Sequence, residues 1–299
     1  MPSQDEPLAL NLDPELPEDV LRIAIEQGED LDKRLALIDE LRSMIMEKGD
    51  INPCRTDDSF LVKFLRARFW NVEHSYKLLC SYCEFLEKNK ELHEKVHPLN
   101  LKILAKDDVI SVGPERDNNG KRAIIMKFGN WKPSKISVDD IFRGTLVLIE
   151  IGSLEPIAQV RGGVAIFDMK GLSLNHVMQL SPTVAQKMLS LMVTAMPLRT
   201  EAVHIVNQNW TFSTAYNIFK PFLNARMKER IFIHGSNMSS LHKHISPQYL
   251  PKEYGGTHGS FTYQKWMESL SKNTEILKEL EKIGYVFDEN DKNLSQWLS

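Results

Sequence analysis

Three short apolar runs constrain this chain most: VAIFD at 164–168, AVHIV at 202–206 and IFI at 231–233. Each is nearly uniform in hydrophobicity rather than alternating, as strands covered on both faces are, and segments of helical period lie between them. Strands that alternate with helices need crossover connections, which predicts an α/β fold with a mainly parallel sheet flanked by helices. Upstream, residues 109–113, the turn-rich ERDNNG and RAIIMKF at 122–128 read as strand, turn and strand, with Asn119-Gly120 as the turn signal.

The intervening helices carry their own punctuation. Ser137, with Asp139 and Asp140 in the next turn, starts a helix through Ile141, Phe142, Thr145, Leu146, Leu148 and Ile149. Ser181 and Pro182 open another that Pro197 stops, and its Met188, Met192 and Met196 form an i, i+4, i+8 stripe. Such a stripe suits a core, and its flexible thioethers would also suit an irregular apolar guest. Residues 207–230 read as one further helix. Its Phe212, Ala215, Tyr216, Ile218, Phe219, Phe222 and Leu223 cover about 180° of the wheel, against the ~100° that a core-facing stripe needs. Arg226 and Arg230 continue that arc, so the segment is either a core helix ending in solvated charge or a flap between a greasy cavity and a charged surface.

Before Val109 the texture is helical. Leu31, Leu35, Ile38, Leu41, Met44 and Ile45 step by three and four up to a Gly49 cap, a second helix starts at Asp57 or Asp58, and a third spans about 72–88. The expected organisation is a mobile acidic lead-in (1–18), a helical domain (19–98), the sheet domain (99–260) and a helical extension (261–299), in which Trp266, Met267, Leu270, Ile276, Leu277 and Leu280 pack back onto the sheet domain. A chain of 299 residues has ample core for this.

Composition excludes several function classes. A formal charge of −3 argues against a general nucleic-acid binder. The acidic start, and the want of any run of about 18 apolar residues, predict a cytoplasmic protein with at most peripheral association to intracellular membranes. Cys54, Cys80 and Cys83 make no disulfide framework, which fits a reducing compartment. Cys80-x2-Cys83 and His93-x3-His97 imitate a zinc spacing, but the gap between the pairs is too short and the cysteines fall inside a helix, so no metal is expected. His204 and His234, beside apolar strands, read as structural, and Asp168 at a strand end reads as a loop-backbone partner. GLSLN at 171–175 lacks the second glycine of a nucleophile elbow, and no phosphate-cradling glycine motif occurs, so neither catalytic residues nor a cofactor are expected. Two basic groups, Lys63, Arg66 and Arg68, then Arg199, Lys220, Arg226, Lys228 and Arg230, are solvated faces or a site for an anionic lipid headgroup.

DDSFLVKFLRARFW at 57–70, GGVAIFDMKG at 162–171, SPTVAQK at 181–187, AMPLR at 195–199, KPFLNARMKERIFIHG at 220–235 and LPKEYGG at 250–256 come in an order and spacing that resemble the CRAL-TRIO lipid-binding family. The likeness is greatest to its branch with the alpha-tocopherol transfer protein, the cellular retinaldehyde-binding protein and the clavesins. That resemblance implies a lipid pocket with a helical gate, walled by Phe142, Thr145, Ile149, Phe167, Met188, Leu191, Met192, Met196 and Val203 and closed by Phe212, Tyr216 and Phe219. It implies a phosphoinositide groove at Arg68, Arg199, Arg226 and Arg230, with Glu201 where the branch has a basic residue. Ala215, Ile218 and Phe222 are then the gate's membrane face. The function implied is a monomeric, non-enzymatic intracellular carrier of one small hydrophobic lipid (retinoid, tocopherol, carotenoid or sterol-like), exchanged at anionic membranes. The alternatives are a phosphoinositide-sensing regulatory or scaffold protein and a phospholipid exchanger of the phosphatidylinositol-transfer type.

Overall fold

The computed structural model describes residues 10–261 and 273–287. Helices α1 (Glu18–Glu26), α2 (Arg34–Lys48), α3 (Asp58–Ala67) and α4 (Val72–Lys88) come first. Their ends follow local chemistry: Asp57 accepts from the Phe60 N–H, Asn71 accepts from the His74 N–H, and Gly49, in the left-handed region, closes α2 by donating to the Ile45 carbonyl. There follow α5 (Lys102–Lys106), β1 (Ile110–Arg116), β2 (Arg122–Lys127), α6 (Val138–Leu154), α7 (Pro156–Arg161), β3 (Gly163–Asp168), α8 (Leu174–Val177), α9 (Pro182–Leu189), β4 (Thr200–Val206), α10 (Trp210–Phe219), α11 (Ala225–Glu229), β5 (Ile231–Gly235), α12 (Met238–Leu241) and α13 (Thr274–Glu281).

The strands form one sheet in the order β1-β2-β3-β4-β5, antiparallel between β1 and β2 and parallel thereafter. Alternation sorts the side chains onto two faces. Ile124, Phe167, Val203, Ile205 and Ile231 meet the helical side of the domain, while Ile125, Val164, Ile166, Ala202 and Val206 lie beneath Leu241, Ile245, Leu250, Tyr254 and Phe261. Asp168 is a structural tie, as its position suggested: it accepts from Lys170 N–H (2.9 Å), Asn207 Nδ2 (2.9 Å) and the Tyr254 hydroxyl (3.0 Å).

The helical and sheet domains share a core. Phe142, Leu146, Ile149 and Leu191 pack among Phe60, Phe64, Leu79 and Tyr82. A buried polar seam crosses the same junction. Lys63 and Arg66, expected on a solvated face or at an anionic headgroup site, are each 3% exposed. Arg66 grips Glu29 through two bonds (2.9 and 2.7 Å) and donates to Gln159 Oε1 (2.8 Å), a forked geometry that offsets burial of both charges. Lys63, its pKa lowered by burial, lies near Glu150, whose pKa burial raises.

The described part of the expected lead-in is tied down. Leu10 and Leu12 pack against the core under α6, and the Asn11 N–H donates to Glu155 Oε1 at 3.2 Å. Of the expected extension, Ile276 and Leu280 are buried against that core with Leu277 beside them; Trp266, Met267 and Leu270 lie outside the described residues.

On the far face of the sheet, His204, His234, His244 and Phe232 stack together, with His204 Nδ1 3.0 Å from His234 Nε2. Burial, then the charges of His234 and His244, push the His204 pKa from its ordinary 6.5 down to about 3. Below pH 6.5 the unfolded chain therefore takes up a proton that the folded one refuses, so stability is full above that pH and falls as acid is added. The expected loss is about 2 kcal/mol between pH ~6.5 and ~5. Urea titrations across this range check it: His204→Phe, which keeps a ring but cannot titrate, should flatten the slope by about one proton's worth.

Candidate functional site

A cavity of about 480 Å³ opens between the sheet, α9 and α10, within the size range of small-molecule pockets. Its wall holds Phe167 and Val203 from the sheet, Met188, Met192 and Met196 from α9 and the turn after it, and Phe212, Tyr216 and Phe219 from α10. Met188, Met192, Val203, Tyr216 and Phe219 are only half-buried although they belong to the interior, because they border space rather than other side chains.

Four residues expected on this wall are elsewhere. Phe142, Ile149 and Leu191 are core residues facing the helical domain, and the Thr145 hydroxyl is spent on the Ile141 carbonyl at 2.8 Å. The cause is α6, which is apolar around most of its circumference; periodicity marks such a helix as buried without saying which face borders a cavity.

The segment after α9 departs from one continuous helix. Residues Ser190–Thr194 widen into a π-helical turn, closed by the Ala195 N–H donating to the Ser190 carbonyl at 2.8 Å. The Met192 carbonyl takes the Thr200 hydroxyl instead, at 2.6 Å, which ties this turn to β4 and leaves Met192 and Val193 facing the cavity.

The expected helix over 207–230 is likewise three pieces. Pro221 offers no N–H to a fourth turn and its ring would meet the Asn217 carbonyl, so α10 gives way at Lys220–Phe222 to a 3₁₀ turn. Leu223 is extended, and Asn224 starts α11 by accepting from the Met227 N–H at 2.9 Å. The apolar arc breaks with the helix. Ala215, expected to face a membrane, is 8% exposed and sits on the cavity wall; Ile218 packs in the cluster joining α8 to α10, and Phe222 is half-buried. The exposed apolar side chains near here are instead Trp210 at 72%, Met178 at 70% and Leu174 at 52%, on the start of α10, just past the end of the adjoining α8 and at its start.

One end of the cavity is cationic, with Arg68, Arg199, Arg226 and Arg230 all on its lining. Arg68 arrives there through a strained turn, in which Phe69 and Trp70 have φ of 54° and 59°, values rare for aromatic residues. The Arg68 guanidinium has its pKa pushed down by burial and then by the charges of Arg199, Arg226 and Arg230. Arg199 is not available to a ligand in the way expected. It is 8% exposed and donates to the carbonyls of Arg66 (2.8 Å), Gln159 (3.1 Å) and Val160, and to Glu201 (2.9 Å).

The pattern of the CRAL/TRIO domain matches residues 106–256, and that of the CRAL/TRIO N-terminal domain matches residues 21–81. The chain belongs to the CRAL/TRIO family. Among its CRAL/TRIO relatives, Clavesin-1 of Pongo abelii is 32% identical over 256 residues, covering 85% of this chain and 72% of the relative, and Clavesin-2 of Homo sapiens is 30% identical, covering 85% and 78%. The solved structure of Sfh5 superposes with a TM-score of 0.51 at 19% identity, over 80% of this chain and 92% of that one, a likeness of fold.

The far end of the CRAL/TRIO cavity has no periodic signal in the sequence. Phe128, Trp131, Leu172, His176 and Leu180 close it, with His176 held between Ser173 and the Trp131 carbonyl, 2.7 Å from Nε2. They come from loops and short turns, where no period marks a wall residue. A filling substitution tests the cavity as a binding site. Val203→Trp should place an indole in the space at a stability cost of about 1–3 kcal/mol. Titration with a fluorescent retinoid-like probe should show affinity reduced roughly ten-fold or more; unchanged affinity would remove the cavity from the binding account.

Proposed function

We propose that this CRAL/TRIO protein is a non-enzymatic carrier that holds one small hydrophobic lipid in the cavity behind α10 and exchanges it at anionic membranes. The observation that carries this reading is the continuity of an apolar cavity, walled by methionines and aromatics, with an end lined by arginines. Adaptable thioethers and rigid rings bind an irregular hydrocarbon by contact area alone. A guest of about 20 carbons gains on the order of 16 kcal/mol over water at ~0.8 per methylene, but a bilayer offers a similar gain. The barrier to exchange is therefore the passage through water, and a gate that meets the bilayer lowers it.

Trp210, Met178 and Leu174 support a docking edge on α8 and α10, where indole and thioether surface would leave water on contact. Arg68, Arg226 and Arg230 add cations suited to phosphate oxygens. Among the described residues no helix is long and apolar enough to cross a membrane, in keeping with attachment at its surface.

The same continuity favours a second reading, in which one anionic phospholipid fills both ends, its chains in the cavity and its phosphate at the arginines. The two readings differ in what the protein carries rather than in where it docks. Vesicle-to-vesicle transfer of a loaded retinoid-like lipid tests the docking role. Neutralising Arg68 and Arg226 to Gln should slow transfer to anionic acceptors by roughly thirty-fold, at ~1 kcal/mol per charge, and leave loading intact. Equal loss of transfer and loading in a folded protein would refute this division of labour.

A further inference from the structure

One carboxylate stands among the four arginines of the cavity's charged end. Glu201, on β4, takes Arg199 Nε at 2.9 Å through Oε1, and its Oε2 lies 3.8 Å from Arg230 Nη2. The two arms are unequal. Arg199 is committed to three backbone carbonyls whatever Glu201 does. Arg230 has a side chain 30% exposed, holds the Thr200 carbonyl with Nη1 at 2.8 Å, and meets Glu201 only at ion-pair range. Among the described residues Arg68 and Arg226 have no carboxylate partner, so Glu201 is the local counter-charge.

Glu201 is also held in place. Gly162, at φ +72°, leaves room for its stem: a Cβ there would fall 2.7 Å from Glu201 Cγ and 2.8 Å from the Arg199 carbonyl. Arg230 ends the chain segment that begins with α10, and its carbonyl accepts from the Val203 N–H at 2.8 Å where β5 joins the sheet. The ion pair therefore sits at the fixed end of the gate.

We propose that Glu201 is a resident counter-anion, which the phosphate of a membrane lipid must displace from Arg230 in order to bind at the cavity's charged end. This rests on the reading that the arginines meet an anionic bilayer. The carboxylate stays within a few ångströms of the incoming phosphate, anchored by Arg199, so it repels each further negative charge. Glu201 thus sets headgroup preference: a second phosphate adds less affinity than the arginines alone would give it.

The test is co-sedimentation with phosphatidylcholine vesicles carrying a singly or a doubly phosphorylated inositol lipid, across a salt series. Glu201→Gln, which preserves shape and a hydrogen bond to Arg199, should tighten binding about five-fold, with the larger gain on the doubly phosphorylated lipid and a steeper salt dependence. In an Arg230→Gln background that gain should shrink, as coupled partners require. Glu201→Asp, which keeps the charge but withdraws it from Arg230, should fall between wild type and Glu201→Gln, and serves if the latter melts early. If Arg226→Gln weakens binding while Glu201→Gln leaves it unchanged or weaker, the docking reading stands and the role of Glu201 is overturned. If anionic and neutral vesicles bind alike and Arg226→Gln has no effect, the docking reading fails and takes this proposal with it. Inorganic phosphate, which offers the same oxygens without the bilayer, should compete only at concentrations far above that of the accessible lipid phosphate; full displacement at an equal concentration would overturn the lipid assignment in favour of a soluble anion.

Discussion

The placement of Arg199 is the constraint on which the rest of the structure depends. Its guanidinium leaves the chain one residue before β4 and is ringed by the Arg66 carbonyl near the end of α3, the Gln159 and Val160 carbonyls of α7, and Glu201. A buried cation is costly unless its donors are answered, so the three elements must converge here or lose that compensation. Their convergence sets the helical domain at the height where Arg68 and Phe69 reach the cavity, and the Arg66–Glu29 fork secures it from the other side. One side chain thus serves the joint and the charge of the mouth together.

The cavity survives because the helices around it are locally broken. The π-helical turn after α9 is pinned to β4 by Thr200, and the Pro221 turn prevents α10 from extending over the opening. What remains between them is apolar surface with no side chain to cover it, which in water favours any guest of matching shape. The same breaks leave Trp210, Met178 and Leu174 outside, so the account of a carrier places the guest and the membrane on opposite sides of a single short helix.

Much of this was legible in the sequence, and the failures share a cause. The uniform runs VAIFD, AVHIV and IFI appear as the adjacent parallel strands β3, β4 and β5, and Ser137, Asp57 and Gly49 mark real helix ends. The methionine stripe lies on the cavity, but Phe142, Ile149 and Leu191 do not, since an all-round apolar helix hides which neighbour each face meets. Ala215 reads as outward on a wheel that assumes one straight helix; Pro221 was visible, yet its effect on the arc depends on the turn it forms. Arg199 looks like any surface arginine until the carbonyls that surround it, from residues 66, 159 and 160, are brought together by the fold.

The central claim is that the cavity carries a lipid. Organic extraction of the purified full-length protein, followed by mass spectrometry of the extract, addresses it most directly. The account predicts close to one equivalent of a hydrophobic lipid per chain, lost from the Val203→Trp variant. A protein that extracts empty, and that takes up no lipid when incubated with vesicles, would contradict it.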